Sequence, residues 1–148
     1  MTKQEFLAFS LPYKLFFRIE YGYTNQPIGI YQMSGVYETY VVEGFNYDDN
    51  VKTDKLKPIL HPLTDLTKEI EYNGEVFIPI TRLKLLYEFE SDNVCIIRMY
   101  INSGWTSSIS ELPLDIVLQL ISWHFDIAGL IDKGEAIDVN TLDENPYK

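Results

Sequence analysis

The segment 111–143 constrains the fold most, because it predicts one long amphipathic helix that must bury its apolar side. Pro113 suits the first turn of a helix, where its missing backbone donor is not needed. Apolar residues recur at helical spacing along one side: Ile116, Leu120, Trp123 and Ile127, broadened by Val117, Ile121 and Ala128. We predict a helix from Pro113 to Ile131, with Trp123 and Ile127 in the interior of the molecule.

The amino end predicts a shorter helix. Thr2 and Glu5 match a capping box, in which each side chain bonds to the backbone of the other residue. The next residues give the helix an apolar side made of Phe6, Leu7, Phe9 and, at its end, Leu11. Pro12 is expected to end the helix because it lacks a backbone donor.

Three strand-like runs follow in the first half of the chain. They are rich in aromatic and β-branched residues and cover Lys14 to Tyr21, Ile28 to Met33 and Val36 to Glu43. Ser34-Gly35 is a suitable hairpin turn between the last two runs. We predict an antiparallel meander of three strands, with the first helix covering one of its faces.

The middle of the chain is dominated by turn signals and prolines. Residues 45–56 are polar and predict a surface loop. Two prolines withdraw backbone donors and bias their predecessors to extended geometry, so 57–62 is predicted as an edge strand or an extended connector. Thr64 or Asp65 is expected to cap one helical turn that reaches Lys68.

Asn73-Gly74 is the strongest local turn signal, since both residues tolerate the positive φ angles of a tight hairpin. Another short helix is predicted from Thr81 to Glu88. Two strands and a short extended piece are predicted after it: Val94 to Ile101, Trp105 to Ile109 and Ala136 to Val139.

Together these elements predict an α+β fold, with an antiparallel sheet or sheets and an N-terminal and a C-terminal helix packed against them. The length fits a single domain over residues 1–142, and residues 143–148 are expected to fray. Apolar residues make up 46% of the chain and charged ones 23%, which is ordinary for a globular protein and argues against disorder.

The charge of the chain constrains its partners. The formal net charge is −10 at pH 7, and residues 111–148 hold eight acids against two bases. Such a surface repels nucleic-acid backbones and anionic membranes, whereas it attracts a basic protein. We expect a protein partner, without direct nucleic-acid or membrane binding, and the oligomeric state is left open.

Cys95 is the single cysteine, so neither an internal disulfide nor a cysteine zinc cluster can form. Its apolar neighbours favour a small core residue over a nucleophile. No positively charged start precedes a long apolar run, and no run approaches the about 20 residues of a membrane span. We therefore expect a cytoplasmic location.

The candidate functional residues are His61, His124, Asp126 and Asp138. On a continuous helix, His124 and Asp126 would point in opposite directions, so they could not act as a base and its orienting acid. The flanks of His124, which are Trp123 and Phe125, favour a packed residue over a ligand. Asp138 opens a run that begins like a calcium loop but lacks its glycine and its distant glutamate, which favours a capping turn.

Signatures of common enzymes are missing from the sequence. It has no glycine-rich phosphate loop, no serine nucleophile motif and no HExxH pair. We therefore assign no catalytic residue and expect no cofactor and no bound metal.

Three segments resemble a family of small proteins encoded by phages and prophages of gut bacteria. They are Lys57 to Thr67, Trp123 to Asp126 and Ala136 to Leu142. That family has no assigned activity. The resemblance therefore implies a setting, the cytoplasm of a phage-infected bacterium, and carries over no site, cofactor or partner.

Two classes of function follow. The favoured one is a phage accessory protein that binds another protein, in its sharper form an acidic inhibitor that mimics phosphates and blocks a host defence nuclease. The other is an enzyme whose site is assembled from His61, His124, Asp126 and Asp138. A minor virion component is a further alternative.

Overall fold

The computed structural model describes residues 1–19, 29–33, 35–36, 40–42, 50–52, 56–87 and 112–148. The helices in these ranges are α1 (Lys3–Ser10), α2 (Pro79–Leu86) and α3 (Leu114–Ser122). The strands are β1 (Phe16–Ile19), β2 (Gly29–Gln32), β3 (Gly35–Val36), β4 (Tyr40–Val42), β5 (Asn50–Lys52), β6 (Leu56–Leu60), β7 (Ile70–Tyr72), β8 (Glu75–Phe77) and β9 (Ile137–Asp138). Short 3-10 helices lie at Leu11–Tyr13, Leu63–Thr67 and Val139–Thr141.

Within the described ranges the strands form a four-stranded sheet, a three-stranded sheet and a hairpin. The four-stranded sheet has the order β2-β1-β6-β9; β1 is antiparallel to both of its neighbours, and β9 joins β6 in parallel. The order β3-β4-β5 is antiparallel throughout, and β7 pairs with β8. The predicted α+β class with mainly antiparallel sheets is confirmed.

The pattern of β1 explains why the helices pack on this sheet. Phe17 and Ile19 are buried while Phe16 and Arg18 are half-buried, which is the alternation of a strand with one face in the core. The same core cluster takes in residues of α1, β6 and α3: Phe6, Leu7, Leu56, Ile59, Leu60, Ile116, Leu120 and Ile121. The N-terminal and C-terminal helices thus share one apolar interior with the sheet.

The predicted capping box of α1 is present. The Thr2 hydroxyl accepts a hydrogen bond from the Glu5 amide, and the Glu5 carboxylate accepts one from the Thr2 amide. The predicted apolar side is right for Phe6 and Leu7 and wrong for two exposed residues, Phe9 and Leu11. The buried side is continued by Ser10, which leaves Phe9 on the outer flank of the helix.

The predicted meander is right only for its first pair of strands. β1 and β2 are antiparallel, with Phe17 opposite Tyr31. The strand predicted from Val36 to Glu43 is instead divided between β3 and β4, which pair with each other. The loop predicted over 45–56 contains β5, which pairs with β4. Alternating composition is the same before and after a turn, so it does not reveal which runs pair.

β6 is an inner strand, although its prolines predicted an edge strand or a connector. It lies between β1 and β9. β9 pairs only with Ile59 and Leu60, so the missing backbone donor of Pro58 interrupts no pairing with β9.

For the segment after β6, the predicted helix cap is wrong and the predicted hairpin is right. The 3-10 helix Leu63–Thr67 begins without a side-chain cap, so neither Thr64 nor Asp65 caps it. The hairpin at Asn73-Gly74 is confirmed, with φ angles of 50° and 77° at the two turn residues. The short helix predicted after it is confirmed as α2, which begins slightly earlier than expected.

α3 ends at Ser122, well before the predicted end at Ile131. Its last turn is closed by a Schellman motif, in which the His124 amide donates to the Ile121 carbonyl and the Phe125 amide to the Leu120 carbonyl. His124 has a φ of 60°, the left-handed conformation that glycine usually supplies at this position. Because a histidine takes the place of glycine, no residue marks this stop in the sequence.

Trp123 and Ile127 are buried, as predicted, although only Trp123 adjoins the helix. Ile127 lies in the irregular segment that follows, where Gly129 has a φ of 66°. Burial by tertiary packing therefore holds this segment in place without helical structure.

The carboxyl-terminal segment 143–148 is anchored by Tyr147, contrary to the predicted fraying, although Asp143, Glu144 and Lys148 are exposed. Tyr147 is 3% exposed. Its hydroxyl donates to the Ile59 carbonyl at 2.6 Å and accepts from the Phe16 amide at 3.2 Å. Its carbonyl accepts from the Asn73 amide. The tail is thereby tied to three separate parts of the chain.

Some predictions concern residues outside the described ranges. These are the strands Val94 to Ile101 and Trp105 to Ile109, the environment of Cys95, and Ser34 of the proposed turn. Among the helices that are described, none has the length and apolar character needed to cross a membrane.

Candidate functional site

The four candidate residues lie around one backbone junction, where the segment after α3 pairs in parallel with the end of β6. The His61 amide donates to the His124 carbonyl, and the Asp126 amide donates to the His61 carbonyl. Asp138 lies opposite Leu60, the residue before His61, in the β6–β9 pair. The fold brings together residues that are far apart in the sequence.

Tyr147 packs against both histidines. Its ring stacks on His124 with centroids 4.2 Å apart and lies 6.1 Å from the ring of His61. The two histidines line different cavities. We name the first the His61 cleft, about 310 Å³ in volume and lined mainly by His61, Asp65, Lys68, Glu69, Glu71 and Asn140. We name the second the His124 pocket, about 330 Å³ in volume and lined mainly by Tyr13, Lys14, Phe16, Tyr72, His124 and Tyr147.

Asp65 gives the His61 cleft a fixed negative charge. This 3% exposed carboxylate accepts hydrogen bonds from Lys68 Nζ at 2.9 Å and from Asn140 Nδ2 at 2.7 Å. His61 Nδ1 lies 3.7 Å from Oδ2 of Asp65, the oxygen that also bonds to Asn140. Burial alone would raise the pKa of Asp65, but these three neighbours outweigh it and lower that pKa to about 2. Asp65 is therefore ionised at neutral pH.

The ring of His61 is unusual because it is buried without a hydrogen bond to any described residue. Its side chain is 3% exposed, and neither ring nitrogen has a hydrogen-bond partner among the described residues. Buried polar groups are normally satisfied, so each exception calls for an explanation. In the His61 cleft, an external group that bonds to the imidazole would supply the missing partner.

The His61 cleft is acidic beyond Asp65. Glu69 and Glu71 also line it and are exposed, so three carboxylates face one ammonium, that of Lys68. This ammonium is already paired with Asp65, and the hydrogen bond between them raises the pKa of Lys68. The unbalanced charge of the cleft is therefore negative.

His124 is neutral at pH 7. Burial, followed by the proximity of His61, lowers the pKa of His124 to about 3, and a hydrogen bond to the Tyr13 backbone opposes this only in part. Nδ1 has no hydrogen-bond partner within the described residues. A neutral imidazole has one N–H donor and one acceptor nitrogen, so Nδ1 is a buried polar atom whose hydrogen bond is not made.

The His124 pocket has the opposite charge to the His61 cleft. Its lining includes the lysines Lys14 and Lys148, and no aspartate or glutamate belongs to the described lining. Aromatic rings and two side-chain amides, those of Gln32 and Asn73, complete much of its surface.

Asp126 and Asp138 have local structural roles. Asp126 accepts hydrogen bonds from the Leu130 and Ile131 amides, both at 2.8 Å, although burial still raises its pKa. Asp138 accepts from the backbone and the side chain of Asn140 at 2.9 Å, which confirms the predicted capping turn. The helical argument that separated His124 from Asp126 does not apply, because neither residue is helical.

Sequence reasoning missed several residues of these cavities. The spacing of His61 and Asp65, four positions apart, could have suggested that pair. Asn140, Lys14 and Tyr147 gave no local signal, since they reach the site through tertiary packing. In the part of the chain that the structure describes, no group of three or more His, Cys, Asp or Glu side chains could hold a metal ion.

Comparison with known proteins gives no relative for this chain. No protein-family profile, no curated protein and no solved structure matches it. The two cavities are therefore interpreted from their own geometry.

Proposed function

We propose that this protein acts by binding another protein, and that the His61 cleft receives a basic side chain of that partner. One observation carries the proposal: an ionised, buried Asp65 lies beside a buried histidine whose ring makes no hydrogen bond to a described residue, in a cleft whose other carboxylates are exposed. An ammonium or guanidinium group is the natural complement of such a site.

The size of the His61 cleft fits one side chain. Its volume of about 310 Å³ is at the lower end of ligand pockets, which span roughly 300–1,000 Å³. Ile70, Val139 and Leu142 supply apolar surface for the aliphatic stem of a lysine or arginine. The carboxylates of the lining supply the charge at its end.

The net charge of −10 supports the same partner class over longer distances. An acidic protein attracts a basic surface and increases the rate of encounter with it. In a phage-infected bacterium, this chemistry suits an accessory protein that occupies the nucleic-acid-binding surface of a host defence nuclease. In that sharper form of the proposal, the exposed acids take the place of phosphates.

Catalysis is the second candidate function. It is favoured by the carboxylate that lies 3.7 Å from a ring nitrogen of His61, the beginning of an oriented acid–base pair. It ranks second because the other candidate residues do not complete the site. Asp126 and Asp138 bond to nearby backbone amides, and His124 lines the other cavity.

Two charge-matched double variants test the proposal. Glu69→Lys with Glu71→Lys reverses exposed acids of the His61 cleft, whereas Asp132→Lys with Glu135→Lys reverses exposed acids that line neither cavity. Each protein is titrated with a labelled oligo-arginine peptide and is used as bait in bacterial lysate at low and high salt. We expect the cleft variant to bind the peptide about tenfold more weakly than the control variant and to lose its lysate partner.

Equal weakening in both double variants would show that net charge alone attracts the peptide. Failure to capture any partner at either salt concentration would also count against the proposal. If the captured partner is a nuclease, duplex DNA should compete with this protein for it.

A further inference from the structure

We propose that the His124 pocket is a second binding site, for a small planar molecule that carries an anionic group and an N–H or O–H donor. This inference goes beyond protein binding. The described lining residues of the two cavities do not overlap, so either site can fail without the other.

Charge selects the anionic group. Lys14 and Lys148 line the pocket without any described acid, in a chain whose net charge is −10. Lys148 is paired with Glu144 at 2.9 Å, so its charge is partly balanced. Lys14 has no ion-pair partner within the described ranges and supplies the cation for a carboxylate or phosphate.

The walls of the pocket select a planar molecule. Tyr147 stacks on His124 at 26° between ring planes, and Phe16 meets Tyr147 edge-on with centroids 5.4 Å apart. The ring centroids of Tyr72 and His124 are 5.7 Å apart. Such rings favour a flat partner, which can stack or make edge contacts with them.

The buried imidazole selects the donor. His124 is 1% exposed, and its Nδ1 has no hydrogen-bond partner in the described structure. An unmade hydrogen bond at a buried polar atom is unfavourable. A ligand O–H or N–H that reaches Nδ1 would satisfy it and so gain selectivity over a similar molecule without a donor.

Three related probes separate these requirements. 4-Hydroxybenzoate has the ring, the anion and the donor; benzoate lacks the donor, and 4-hydroxybenzyl alcohol lacks the anion. Binding of each probe to the full chain is measured by calorimetry, and the site is located from amide shifts in NMR spectra. We expect 4-hydroxybenzoate to bind about tenfold more tightly than either of the others and to shift the amides of residues 13–16 and 72–73.

A matched pair of variants locates the charge. Lys14→Gln should weaken 4-hydroxybenzoate binding severalfold, whereas Lys84→Gln, which removes an exposed lysine on α2, should leave it unchanged. The proposal is overturned if no probe binds saturably, if all three bind equally, or if the two variants behave alike. The probe series needs no substitution, so it decides the question even if a variant fails to fold.

Discussion

The two cavities beside Tyr147 contain the same kind of residue, a buried histidine, in opposite electrostatic settings. His61 lies 3.7 Å from an ionised carboxylate, in a cleft lined by further acids. His124 is neutral at pH 7 and shares its pocket with two lysines. The neighbours of a buried histidine, rather than the histidine itself, therefore determine whether its cavity suits a cationic or an anionic ligand.

The buried carboxylates of Asp65 and Asp126 teach the same lesson. Neighbouring side chains, including an ammonium, overcome burial and lower the pKa of Asp65, whereas the amides around Asp126 do not overcome burial and its pKa is raised. The negative charge of nearby Asp132 raises the pKa of Asp126 further, and no comparable repulsion acts among the causes that set the pKa of Asp65.

The largest predicted effect removes the residue that both histidines contact. Tyr147→Ala should lower the free energy of unfolding by about 3–5 kcal/mol, because it leaves a cavity in the core and frees two backbone groups. Tyr147→Phe keeps the ring and should cost about 1–3 kcal/mol through the lost hydroxyl. Urea denaturation measures both, and a loss below about 1 kcal/mol for the alanine variant would show that the tail does not belong to the core.

The next prediction sharpens the contrast through the pH dependence of stability. The pKa of His124 is about 3 in the folded protein and 6.5 in an ordinary environment. Between these two pH values, the imidazole is protonated in the unfolded chain and neutral in the folded chain. Stability should therefore fall as pH decreases from about 6.5 towards 3, by up to about 1.4 kcal/mol per pH unit. Urea denaturation across this range measures the slope, and His124→Phe should reduce it. A His124 ring that titrates near pH 6.5 in NMR spectra would contradict the prediction.

These effects depend on features that sequence patterns reveal unequally. The capping box, the Asn73-Gly74 hairpin and the buried Trp123 were predictable because short-range spacing encodes them. The end of α3 was not predictable, because its left-handed residue is a histidine. The docking of Tyr147 was not predictable either, since its hydroxyl bonds to backbone 88 and 131 positions away.

The site was predictable in the same uneven way. His61 was a candidate from its residue type, and its partner Asp65 stood four positions away, within reach of a spacing rule. Asn140 reaches Asp65 because β9 pairs in parallel with β6. The composition of neither strand indicates this pairing. Long-range pairing of short strands is the part of this fold that local patterns do not encode.

A smaller effect concerns Asp65, whose pKa is lowered from 3.8 to about 2. Its ionised form stabilises the fold above pH 4, and this contribution is lost as pH falls towards 2. Asp65→Asn should remove about 2 kcal/mol at pH 7 and flatten the loss of stability below pH 4. Asp126 has a raised pKa, so the stability linked to its protonated form is lost as pH rises. Asp126→Asn should therefore not flatten the loss of stability below pH 4. Denaturation curves at pH 2 to 7 compare the two variants. The same loss of stability below pH 4 in both would contradict the lowered pKa of Asp65.

The smallest predicted effect separates binding from stability. Glu69→Gln with Glu71→Gln should change the free energy of unfolding by less than about 0.5 kcal/mol, since both acids are exposed. The same variant should bind the oligo-arginine peptide more weakly than Asp132→Asn with Glu135→Gln, which removes the same charge elsewhere. A large loss of stability would mean that these acids support the fold instead of a partner.

Amide-resolved NMR of one labelled sample, titrated first with oligo-arginine and then with 4-hydroxybenzoate, tests most directly whether the cavities are two sites of opposite preference. The peptide should shift the amides of residues 61, 63–71 and 138–145, and the small acid should shift those of residues 13–16, 72–73 and 124. Separate sets of shifted amides are the predicted result. Shifts of the same amides by both ligands, or shifts confined to other parts of the chain, would contradict the account.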